Sequence, residues 1–125
     1  MKYRIPFWLT VCICVLLSAC YYDNEEDLYP FVDPSGCDTL SISFSARIMP
    51  ILESQCTGCH SGNFPAGGQD LTTYENVRVP AGDGRLVGVI SHADGFPNMP
   101  RGGDQLPECD ILAVTAWINQ GLQDN

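Results

Sequence analysis

The residues best suited to chemistry are Cys56-Thr57-Gly58-Cys59-His60. A C-x-x-C-H run is the attachment signature of a c-type haem. Two thiols must reach two vinyl groups on one edge of a porphyrin, and two intervening residues in a helical or turn-like path set that separation. The next residue then places its imidazole under the iron. The expected cofactor is therefore one covalent haem c with its iron, held by Cys56, Cys59 and His60. Two other chemistries use a C-x-x-C pair. A thioredoxin-like motif wants a βαβ context, whereas the flanks here read as helical. A zinc site wants a second ligand pair, which Cys37 and Cys109 supply on paper, with His92 to spare.

The second axial ligand is expected from a distant loop. Met49 lies on the helix leading into Cys56, which puts it on the proximal side or in the core. Met99 stands in Phe96-Pro97-Asn98-Met99-Pro100, between prolines that restrict the chain, and is the expected iron ligand. His92 is its rival, with a hydrogen-bonded loop histidine as the simpler reading. His/Met ligation raises the reduction potential relative to bis-His. It also fills both axial positions, which favours electron transfer over gas binding. The other ring nitrogen of His60 should donate to a backbone carbonyl, with Pro65 as the candidate.

Helices must position these groups. Phe44, Ile48, Ile51 and Leu52 share one helical face, and Ser43 or Ser45 can cap its start. Pro50 either kinks that helix or marks the first turn of a shorter one. Residues 61–69 are turn-rich. Thr72 to Glu75 has capping-box spacing, Ala81 to Gly84 reads as a turn, and Leu86 to Ile90 as one or two helical turns. Residues 93–107 form a long irregular loop, the kind that usually carries function. Pro107, Glu108 and Asp110 suit the first turn of a last helix with an apolar stripe of Ile111, Leu112, Val114, Trp117 and Ile118, ended by Gly121. No alternating strand or internal repeat is legible, so the fold class is all-α.

The length, 125 residues, suits one domain. Residues 1–19 read as a targeting segment, with Lys2 and Arg4 before an apolar run from Ile5 to Leu17. That run is shorter than the roughly 17–25 residues of a comfortable bilayer span. Leu17-Ser18-Ala19-Cys20 resembles the lipobox of bacterial lipoproteins, which implies cleavage before Cys20 and its lipidation. An ordinary signal peptide with a stray Cys, or an uncleaved anchor, are the other readings. Residues 20–36 read as an acidic tether and residues 37–125 as the domain. The acidic run also resembles the surface-export signal of Bacteroidota lipoproteins, although a solvated linker is the simpler account. Without the leader, four Arg oppose fifteen acidic residues, a formal charge of −11. That charge repels nucleic acid and favours partners with basic patches. The expected location is a membrane, reached through a lipid anchor at Cys20, on its periplasmic side or at the cell surface.

The chain resembles the small class I cytochrome c domains common in Bacteroidota, many of them lipoproteins. The resemblance is carried by Phe44 to His60, Gly67-Gly68-Gln69-Asp70-Leu71 with Tyr74, Gly84-Arg85-Leu86 to His92, Met99-Pro100 with Gly102-Gly103, and Ala116-Trp117-Ile118 with Gly121. It implies a small cytochrome c-like fold, with first and last helices packed across each other beside the haem. It implies His60 and Met99 as axial ligands, and electron transfer between redox partner proteins rather than enzymatic catalysis. On that packing Cys37 and Cys109 are expected to form a disulfide; two free thiols are the other reading. A haem-based sensor or peroxidase-like enzyme with an open or displaceable sixth site is the alternative function. A haem-free metal or redox module using Cys56 and Cys59 is a third.

Overall fold

The computed structural model describes residues 36–125. The expected leader 1–19, the lipidation site Cys20 and all of the tether but Gly36 lie outside the described residues. The first helical segment starts at Ser43, whose hydroxyl accepts the Ala46 N–H at 3.1 Å. One wide π turn, Phe44–Ile48, leads directly into α1, Met49–Gln55. Pro50 explains both features. Its ring would crowd the carbonyl four residues back. A widened turn makes room there, and Pro50 itself sits in the first turn of α1, where its missing N–H costs nothing.

Three further helices follow: α2, Tyr74–Gly82; α3, Arg85–Ile90; and α4, Glu108–Asn119. No strand occurs among the described residues, and the fold is all-α. The capping-box register expected at Thr72 does not form. Thr73 is the cap, accepting the Asn76 N–H, because the Thr72 hydroxyl and N–H are both taken by Asp70. The turn expected at Ala81 to Gly84 is also shorter. α2 runs through Pro80 and Ala81, both buried in the core, and the reversal is confined to Asp83 and Gly84. Gly84 adopts φ 82°, a left-handed conformation that glycine takes without steric penalty. Pro107 stands just outside α4 rather than in its first turn. Gly121 ends α4 with φ 96°, its N–H on the Ile118 carbonyl and the Leu122 N–H on the Trp117 carbonyl. Those two bonds are the Schellman pattern.

The first and last helical segments meet over an aromatic cluster. Trp117 is fully buried, and its ring centroid lies 5.3 Å from that of Phe44. Phe44 in turn meets Tyr74 edge-on at 5.3 Å. Both polar tips are satisfied by the C-terminal tail: the indole N–H donates to the Gln123 carbonyl and the Tyr74 hydroxyl to that of Leu122. The tail also takes the N–H groups of Phe44 and Ser45 on Asn125, which have no partner within the helix they begin. Two further links join the first and last segments. Arg47 meets Asp110 at 2.7 Å, and Cys37 is bonded to Cys109 with Cα atoms 5.2 Å apart.

Candidate cofactor site

α1 hands the chain to the C-x-x-C-H run through a turn. The Cys56 N–H still bonds the Leu52 carbonyl, while the Cys59 and His60 N–H groups both donate to the Cys56 carbonyl at 3.1 and 2.9 Å. This tight path brings Cys56, Cys59 and His60 to the wall of one cavity of about 460 Å³. The loop that follows folds back on the run. The Ala66 N–H donates to the Cys59 carbonyl and the Leu71 N–H to that of His60, both at 2.9 Å. Folding back carries the Gln69 carbonyl to 2.9 Å from His60 Nδ1. The partner is therefore Gln69 and not Pro65, whose carbonyl is already used by the Gly68 N–H to close the 3₁₀ turn Ala66–Gly68. A carbonyl only accepts, so Nδ1 carries the hydrogen, which leaves Nε2 as the nitrogen available to bind a metal.

Another part of the wall is built on the end of α3. The last four carbonyls of a helix have no partner within it. Here Val87 takes the Ser91 N–H, Gly88 takes Ala93, Val89 takes Met99 and Ile90 takes Leu106, at 3.0 to 3.1 Å. The long loop after α3 is thus laid across the helix end, and Met99 lines the same cavity as Cys56, Cys59 and His60. Met49 does not line it; it packs against the core. His92, the rival ligand, is absent from the lining as well: its Nε2 lies 3.1 Å from the Met99 carbonyl. Phe96 closes the wall where α3 has Gly88, and a Cβ there would come within 2.6 Å of the ring.

Leu71, Leu86, Val89, Ile90 and Leu106 make the cavity largely apolar, and Arg85 and Arg101 are the charged residues on it. Arg85 is paired with Asp83 at 2.7 Å, and Arg101 is exposed. Burial pushes the Cys56 thiol up to about 11. That opposes the thiolate chemistry of a dithiol redox centre, which relies on a lowered thiol pKa. The zinc reading loses its second ligand pair, since Cys37 and Cys109 are bonded to each other.

No protein family, curated protein or solved structure matches the chain. The site is read from its own residues. Sequence reasoning missed the Gln69 carbonyl, the Gly88–Phe96 contact and the two arginines on the cavity; for His92 it favoured a hydrogen-bonded loop histidine, and the bond to the Met99 carbonyl is of that kind. A signal existed for the first. Asp70 followed two residues later by Thr72 is the pattern of a side chain capping its own turn, and it marks 69–72 as a rigid corner beside His60. A contact such as Gly88–Phe96 leaves no local signal.

Proposed function

We propose that this protein is a class I-type monohaem c-type cytochrome that relays single electrons outside the cytoplasm, anchored to a membrane through lipidated Cys20. The observation carrying this reading is that Cys56, Cys59, His60 and Met99 line one largely apolar cavity, with His60 Nδ1 engaged and Nε2 left to bind a metal. These residues fit a c-type haem. Cys56 and Cys59 would hold it through thioethers, and His60 and Met99 would ligate its iron. Bound haem supplies a one-electron Fe(III)/Fe(II) couple.

The chain's own residues do the rest. Gln69 fixes the tautomer and orientation of His60. Leu71, Leu86, Val89, Ile90 and Leu106 keep water from the redox centre, and a low-dielectric surrounding of this kind helps set its potential. Arg101, which is exposed, would offer positive charge to the porphyrin's carboxylates, while Arg85 would do so only in part because it is paired with Asp83. Electron relay needs no acid, base or nucleophile. Docking relies on the acidic surface meeting a basic patch on the partner, so transfer rates fall as salt rises.

The test is intact mass and a visible spectrum of the full chain made in a cell with haem-attachment machinery. The expected protein carries one covalent haem and shows a Met–Fe(III) charge-transfer band near the red edge. Met99→Ala should lose that band and lower the potential. An apo-protein mass with no Soret absorption overturns the reading. An unchanged spectrum in Met99→Ala removes Met99 as ligand and returns the site to an open-position sensor or peroxidase-like enzyme.

A further inference from the structure

We infer that His92 is a positioning residue that holds Met99 in place as a ligand, an inference that rests on the haem reading above. Both main-chain groups of Met99 are used. Its N–H donates to the Val89 carbonyl at 3.0 Å, and its carbonyl lies 3.1 Å from Nε2 of His92. Because that oxygen only accepts, the ring nitrogen donates. One bond ties Met99 to the last turn of α3, and the other to the residue two positions beyond that helix. His92 has φ 53°, in the left-handed region that histidine adopts more readily than most non-glycine residues. The ring, half-buried, is thereby spent on one carbonyl across the start of the loop.

The consequence follows from the chemistry of methionine. A thioether sits on a side chain with three rotatable bonds, so its effective concentration at the iron depends on how firmly its main chain is held. With two pins, the closed arrangement dominates. With one, the population with sulfur on the iron falls, and the apparent affinity of any competing ligand rises in proportion. His92 thus tunes whether the sixth position is closed without touching the iron itself.

The experiment compares wild type, His92→Gly and His92→Asn as full-length haem-loaded chains. Glycine removes the donor and tolerates φ 53°. Asparagine tolerates it too and keeps an N–H donor, so it serves as the rescue. Two readouts are taken on protein shown by circular dichroism to be helical: exchange of the Met99 amide, and cyanide titration of the ferric iron. The inference expects faster Met99 exchange and about fivefold tighter cyanide binding in His92→Gly, the factor that one net hydrogen bond is worth, with both partly restored in His92→Asn. Unchanged exchange overturns it, and so does faster exchange with an unchanged cyanide constant. Should His92→Gly fail to fold, His92→Asp, which tolerates φ 53° but has no N–H donor, is read against His92→Asn: looser values in the Asp variant support the donor role, and equal values overturn it. A wild-type chain that takes up no haem overturns the haem reading instead, and shows itself in the mass.

Discussion

Nδ1 of His60 stands 2.9 Å from the backbone oxygen of Gln69, nine residues further along the chain. The same corner carries Asp70, whose carboxylate accepts the Thr72 N–H at 2.9 Å, the Thr72 hydroxyl at 2.7 Å and the Asn76 side-chain amide at 3.2 Å. The orientation of the imidazole thus depends on a turn that the Asp70 carboxylate and main-chain bonds such as Leu71 N–H to the His60 carbonyl hold together.

That dependence gives a pH signature. The hydrogen bonds from Thr72, side chain first and then backbone, hold the Asp70 carboxyl below the usual carboxylate range, with Asn76 adding to the effect. A folded-state value below the unfolded one stabilises fully above the ordinary carboxylate pKa and loses that contribution as pH falls through the folded value. Asp70→Asn keeps an acceptor and removes the titration. Urea midpoints should favour wild type at neutral pH, with the advantage shrinking below about pH 4. An advantage that stays constant on acidification would detach Asp70 from the acid sensitivity.

The Cys37–Cys109 bond joins residues 72 apart in sequence. The chain-entropy account gives a loop of that size roughly 4.4 kcal/mol, and a disulfide typically delivers about 2–4 kcal/mol. Replacing both with Ser in Cys37→Ser/Cys109→Ser should lower stability by that amount in denaturant melts. Neither cysteine lines the cavity, so the spectrum of the haem proposed there is expected to stay as in wild type. A spectrum that changes along with the midpoint would show that the crossing of the first and last helices also sets the site.

Gly88 is buried on α3, and Phe96 lies against it so closely that a Cβ would reach within 2.6 Å of the ring. Gly88→Ala must push Phe96 aside, at a cost of about 1–3 kcal/mol, the usual range for overpacking. Phe96 shares the loop and the cavity wall with Met99, so on the proposed haem reading the red-edge band should weaken too. The cost should be much smaller in a Phe96→Ala background. Equal costs in both backgrounds would mean that the steric conflict lies elsewhere.

Much of the fold is legible because its signals are local. Ser43 caps the first helical segment, Pro50 sits in the first turn of α1, and Gly121 closes α4; each depends on residues within about one helical turn. The C-x-x-C-H spacing is local in the same sense. So were the limits: Thr72 matched a capping box, but Asp70 competed for its hydroxyl and N–H, and the helix began one residue later.

What the sequence determined by itself is the reactive groups, the helices that carry them and the all-α class, since these follow from side-chain chemistry and from interactions between near neighbours. Tertiary structure decided how the groups face one another. Gln69 rather than Pro65 became the partner of His60, and the carbonyl that the loop histidine His92 bonds is that of Met99. The physical reason is the same in both cases. Carbonyls left without partners by a short turn or a helix end must be satisfied, and which distant group satisfies them is settled only when the loops fold back onto those ends.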